Sequence, residues 1–167
     1  MLDSEEENLP INFQTTHKNK EILKEVLQVY LQDSNEKLEI YNELATRIDL
    51  LLNIINKRFL YKKLSIHKSR GFVFTSQLTG KDIPLSGLSS GEQHELVLFF
   101  QLLFDTEPNS LLLIDEPEIS LHISWQNHFI NDLKEVIILN NLSAIIATHS
   151  PDIINKNWKL TVQLKGE

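Results

Sequence analysis

Leu111-Leu112-Leu113-Ile114 runs straight into Asp115-Glu116-Pro117-Glu118, an apolar stretch that ends in adjacent carboxylates. Such a run reads as a strand of a parallel sheet, expected to be buried on both faces, and ligands bind at the C-terminal edge of these sheets. Two neighbouring acids there suit a magnesium-bound nucleotide. One holds the metal, usually through water, while the other faces a water that attacks the terminal phosphate. In that chemistry Asp115 is the metal residue and Glu116 the base. The plain alternative is a strand-to-loop junction where acids simply meet solvent; a hydrolase built on the pair Glu116 and Glu118 is a remoter one.

A second apolar run, Ser143 to Ala147, ends in Thr148-His149-Ser150-Pro151. The helical pattern between the two runs makes a crossover, which in a parallel sheet is right-handed and sets the strands side by side. His149 is then expected beside Glu116, where it could sense a γ-phosphate; a surface or satisfied core histidine is the alternative. Leu88-Ser89-Ser90-Gly91-Glu92-Gln93 has the makings of a helix start, because Ser89 with Glu92, or Ser90 with Gln93, forms a capping box. Free N–H groups and the helix dipole there favour an anion, although an ordinary cap has the same pattern.

The elements that carry these residues follow from periodicity. Residues 92 to 104 are apolar on nearly all sides, as in a buried helix, and residues 123 to 139 form a second helical pattern between the two strands. This alternation predicts an α/β fold with a parallel sheet covered by helices. Upstream, Phe72 and Phe74 alternate with Val73 and Thr75, a turn follows at Thr79-Gly80-Lys81-Asp82, and alternation resumes at Ile83 and Leu85, a β-hairpin signal. Residues 160 to 164 look like a closing strand.

From about His17 to Phe59 the pattern is helical, with Asp33-Ser34-Asn35 as a candidate break; the stripe reads as a packed face, with a coiled-coil arm as the alternative. Lys57, Arg58, Lys62, Lys63, Lys68 and Arg70 make the next stretch basic. A solvated face is the simpler reading and phosphate-backbone contact the sharper one. Residues 1 to 16 are acidic, contain Pro10 and lack a period, and so read as an extended or disordered lead-in. The chain thus divides into 1–16, 17–60 and 61–167.

At 167 residues and 41% hydrophobic content, one domain with a real core is the default. A formal net charge of −7 offers no global attraction for DNA or a membrane surface. The absence of cysteine excludes disulfides and thiolate metal sites and fits a reducing compartment. No apolar run approaches the roughly 20 residues needed to span a bilayer, and the acidic start is unlike a secretory leader. The expectation is a soluble, cytoplasmic protein.

Taken together, the order of these motifs over about residues 70 to 165 resembles the C-terminal half of ABC-type ATPases. Leu88 to Gln93 is similar to the signature motif, Leu111 to Glu116 to Walker B, Ser120-Leu121-His122 to the D-loop, and Ala147 to Ser150 to the switch-histidine motif. Asp-Glu-Pro-Glu-Ile-Ser-Leu-His, residues 115 to 122, resembles the soluble RecF-like and OLD-like group rather than transporters, whose signature usually reads Leu-Ser-Gly-Gly-Gln. Ile123 stands where many of that group have proline.

The resemblance implies a partial P-loop NTPase sheet, with parallel strands flanked by helices, preceded by a helical segment and a β-hairpin. It implies ATP and Mg²⁺, sandwiched between two subunits of a dimer: Asp115 on the metal, Glu116 and His149 catalytic, Ser89, Ser90 and Gly91 reaching the partner's nucleotide in trans, and Ser120 at the seam. DNA repair or phage defence is the implied setting, with DNA a possible partner and no membrane. A non-hydrolysing interaction module and the nucleotide-binding half of a transporter are the alternatives. No Gly-x-x-x-x-Gly-Lys-Ser/Thr occurs in the sequence, so the cradle for the α- and β-phosphates is expected from an N-terminal half outside it, on the same or a separate chain. This chain alone is then expected to hydrolyse ATP negligibly.

Overall fold

A computed structural model describes residues 17–164; the lead-in read over 1–16 lies outside the described residues. The chain divides into two compact units, Met1–Glu43 and Leu44–Glu167. The described part of the first is helical and belongs to α1 (His17–Arg58). Asp33-Ser34-Asn35 does not break this helix. None of the three is proline or glycine, and i,i+4 contacts bridge the site: Lys37 donates to Asp33 at 2.7 Å and Gln32 to Glu36 at 3.2 Å. Ile22, Val26, Val29, Tyr30 and Tyr41 are exposed, so this part of the stripe is not the packed face its periodicity predicts.

In the second unit, the end of α1 supplies Leu51, Ile54 and Ile55 to the core, and Phe59 follows them. Three antiparallel strands come next, β1 (Lys62–His67), β2 (Gly71–Ser76) and β3 (Asp82–Ile83). The turn before β3 is where the sequence predicts it, with Gly80 at φ +67°, a left-handed conformation that glycine adopts without strain. β1 escaped the sequence reading because its lysines dominate it. Its inward residue Leu64 pairs with Phe74, and both are buried. Leu85 is not in a strand: Pro84 cannot donate to a ladder, and Leu85–Gly87 forms a 3₁₀ turn.

The α/β part follows as α2 (Ser90–Phe100), β4 (Leu111–Asp115), α3 (Ile123–Asn140), β5 (Ser143–Ala147) and the short α4 (Pro151–Ile154). α2 widens into a π-helix over Gln101–Asp105. Phe99 and Leu103 from this segment meet Phe129, Leu133 and Val136 of α3 in the core. Asn141, at φ +50°, closes α3 by donating its N–H to Ile137. β4 and β5 pair in parallel, from Leu111 opposite Ser143 to Asp115 opposite Ala147.

That two-stranded sheet departs from expectation in one respect. Only one face is covered, and Leu111, Leu113 and Ile145 on the other are exposed. Nor do residues 160–164 close the sheet: Trp158–Leu160 is a 3₁₀ turn and residues 161–164 join no strand. Alternation supplies propensity, but a strand also needs a neighbour with which to share its hydrogen bonds.

Candidate functional site

β4 ends at Asp115, and the chain leaves the sheet through Glu116, whose backbone is left-handed at φ +44°, ψ +56°. For a residue with a Cβ this conformation is strained, and it persists because its surroundings hold it. One hold is visible: the Glu116 N–H donates to the carbonyl of Ala147 at 2.8 Å, extending the parallel ladder one residue past the strands. His149, two residues beyond that carbonyl, brings Nε2 to 3.5 Å from Glu116 Oε1. Asp115, Glu116 and His149 therefore share one rim. Its side chains are open, with His149 91% and Glu116 40% exposed, so a ligand can reach both.

Glu118 builds this rim, and the sequence reading gave it no such part. Its carboxylate accepts from the Thr148 hydroxyl at 2.7 Å and from the N–H groups of His149 and Ser150 at 2.8 and 3.1 Å. Burial alone would raise this carboxyl, but the bonds from Thr148, His149 and Ser150 outweigh it and hold the group below the usual carboxylate range. Gln126 of α3 completes the brace, donating to the carbonyls of Glu118 and Leu121 and accepting from the Ser150 hydroxyl.

Ser89, Ser90, Gly91 and Ser120 form a second group. Of the two capping boxes the sequence allows, the one present joins Ser89 and Glu92: the Ser89 hydroxyl accepts from the Glu92 N–H at 3.3 Å, and the Glu92 carboxylate accepts from the Ser89 N–H at 2.7 Å. Lys62 of β1 donates to the same carboxylate at 2.5 Å. Burial would raise Glu92; Lys62 and Ser89 overcome it, and the carboxyl sits below its ordinary value. The β1 strand thus fixes the start of α2. Around Gly91, a Cβ would lie 3.7 Å from the Trp125 ring and 3.8 Å from the Ser120 carbonyl, so the serine turn and Ser120 are neighbours. The Ser120 hydroxyl itself closes a local turn onto Pro117 at 3.2 Å.

These residues line a groove of about 810 Å³ between the starts of α2 and α3. Asp115, Glu116 and His149 are not among its walls. The site residues therefore fall into two sets that face different surroundings. The basic stretch is divided as well. Arg58 pairs with Asp132, Lys62 with Glu92 and Arg70 with Asp82, so the open basic face read from the sequence is half neutralised by named partners.

Among the described residues no three histidine or acidic side chains gather as a protein metal cage would require. Asp115 alone suits Mg²⁺, which commonly takes one or two carboxylates and fills its octahedron with water and substrate phosphates. Set against known proteins, residues 2–154 match the AAA ATPase domain. The chain belongs to the AAA ATPase domain family.

For this family member, the parallel strands, covering helices and antiparallel hairpin are those of a partial P-loop NTPase fold. Protein ea59 of Escherichia phage lambda is 39% identical over 71 residues, 41% of this chain and 13% of that protein. The probable iron chelatin transport ATP-binding proteins of two Helicobacter pylori strains are 32% identical over 87 residues, 52% of this chain and 33% of each relative. The chain thus spans no more than a third of the length of these relatives. No helix among the described residues is long and apolar enough to cross a membrane.

Proposed function

We propose that residues 61–167 are the signature, Walker B and switch-histidine half of an ATP hydrolase of the soluble, RecF-like or OLD-like kind, acting as a cytoplasmic dimer in DNA repair or phage defence. The observation that carries this reading is the shared rim, where Glu116 and His149 stand 3.5 Å apart at the ends of two parallel strands. Glu116 takes a proton from the attacking water, and His149 meets the γ-phosphate from the neighbouring strand. Asp115 would hold Mg²⁺, which would offset the negative charge of the phosphates. Ser89, Ser90 and Gly91 offer backbone N–H groups to the nucleotide of the other subunit, with Ser120 at the seam between the two sites. The phosphate loop comes from an N-terminal half, on the same or a separate chain, and DNA is a candidate partner.

The test supplies that half. Purified alone, the chain is expected to turn over ATP negligibly; joined to a P-loop segment of its parent protein, it should hydrolyse ATP in the presence of Mg²⁺. Glu116→Gln should then lower kcat about 100-fold or more. Rapid turnover by the chain alone that vanishes in Glu116→Gln would overturn the division of labour. No turnover after joining would favour a non-hydrolysing interaction module. A second reading, the ATP-binding part of a transporter, draws support from the Helicobacter pylori relatives. Recovery of the parent protein in the membrane fraction would favour it.

A further inference from the structure

Leu27, Leu31, Ser34, Leu38, Tyr41 and Ala45 follow one another along α1 at alternating spacings of four and three. That period keeps one seam of a helix facing a neighbouring helix. Ser34 is half-buried and the other five are exposed. Helices in proteins owe most of their stability to the packing of such a face, yet this one lies open. The adjacent phase, through Leu23, Tyr30 and Leu44, is interrupted by Lys37, whose ammonium Asp33 holds at 2.7 Å. The seam through Leu31 and Leu38 is therefore the more apolar of the two. Its ends carry opposite charge. Lys20 and Lys24 continue it toward the start of α1, where both are exposed. Beyond Ala45 it runs beside a cleft of about 420 Å³ between α1 and α3, whose charged lining residues are Asp49 and Glu135, both acids. Neither acid belongs to an ion pair among the described residues.

We propose that this seam is an interface between two copies of the chain, with their α1 helices antiparallel. Leu27 lies opposite Ala45 of the second copy, Leu31 opposite Tyr41, and Lys20 and Lys24 reach the second copy's Asp49 and Glu135. Two-fold symmetry repeats each contact, as an isologous interface requires. Ser34 meets Leu38 near the two-fold axis, and a lone polar residue in an apolar seam fixes register at some cost in stability. A parallel pair would instead set Lys24 against Lys24 and leave both acids without a cation, and like charges brought together disfavour the wrong arrangement. The interface uses neither the rim nor the serine turn. It forms without nucleotide and stands independently of the ATPase reading.

Sedimentation equilibrium of the 167-residue chain without nucleotide should therefore show a concentration-dependent dimer. The sequence has no cysteine, so introduced thiols are the only ones present. Leu27→Cys mixed with Ala45→Cys should give a disulfide-linked pair on mild oxidation, and either variant alone should give about tenfold less. Lys24→Glu should weaken association about tenfold, as should Asp49→Lys with Glu135→Lys; all three changes together should restore it to within about threefold of wild type. Leu31→Glu should abolish the dimer, whereas Val29→Glu, at an exposed apolar residue on the opposite side of α1, should not. Because every one of these positions is exposed, circular dichroism should show the fold unchanged. A chain still monomeric at about 100 µM, cross-linking by Leu27→Cys alone at the level of the mixture, or no recovery in the charge-swapped triple variant would overturn the proposal. So would loss of the mixed cross-link in the longer parent protein, since a preceding segment of its own chain would then cover the seam.

Discussion

Glu118 accepts three hydrogen bonds from Thr148, His149 and Ser150 and so fixes the backbone that presents the rim histidine. Its depressed carboxyl makes this contribution pH-dependent. A group held below its unfolded value stabilises the fold above that unfolded value and loses the contribution as pH falls through the folded one. Glu118→Ala is therefore expected to cost about 2 kcal/mol near neutral pH, since three acceptor contacts disappear. The difference from wild type should shrink on acidification below about pH 4, measured by urea denaturation. Glu118→Gln keeps one oxygen for the two N–H groups and should cost less, with no such acid dependence. A constant deficit at all pH values would show that shape, not charge, matters here. Asp115, Glu116 and His149 were legible in the sequence because each ends an apolar run. Glu118 was not, since its partners lie thirty or more positions away and only the parallel pairing brings them close.

α2 carries a second acid that its sequence did not single out. Glu95 is 2% exposed, and one of its carboxylate oxygens has no hydrogen-bond partner. Burial pushes its carboxyl up to about 8, with Arg58 opposing and Asp132 and Glu92 adding to the rise. At neutral pH the group is thus mostly protonated, an arrangement that lets a carboxyl sit between two ion pairs. Because the folded value lies above the unfolded one, stability is full below about pH 4.5 and falls as pH rises toward about 8. Glu95→Gln should abolish that decline and raise stability near pH 8 by an amount of order 3 kcal/mol. Denaturation midpoints across pH 5 to 8 test this, and parallel curves for the two proteins would refute it. The pattern of α2 is apolar nearly all round, which predicts a buried helix, yet Gln93, His94, Val97 and Phe100 are exposed and only the face carrying Glu92, Glu95 and Phe99 is buried. A glutamate inside that pattern looks like an exposed position until Arg58 and Asp132 are seen beside it. Long helices and apolar runs were readable because their periods are strong; β1 and the fate of residues 160–164 were not, because strands are decided by partners.

At the scale of the whole molecule, the sheet of β4 and β5 leaves one face open. Leu113 and Ile145 are 70% and 61% exposed on its open face, and among the described residues each strand has only the other for a neighbour. The structure does not bear out the expectation that both faces are covered; on the proposed reading, a phosphate-loop half would cover the open one. Substituting lysine at both positions separates the two states. Leu113→Lys with Ile145→Lys should change the stability of the isolated chain by less than about 1 kcal/mol, because exposed positions contribute little to the fold. In contact with the P-loop half the same lysines would be buried without partners, a cost of several kcal/mol that should abolish assembly. Sedimentation of the mixed halves reads the outcome directly. If the double variant still co-sediments with the P-loop half, that half docks elsewhere, and the open face requires a different explanation.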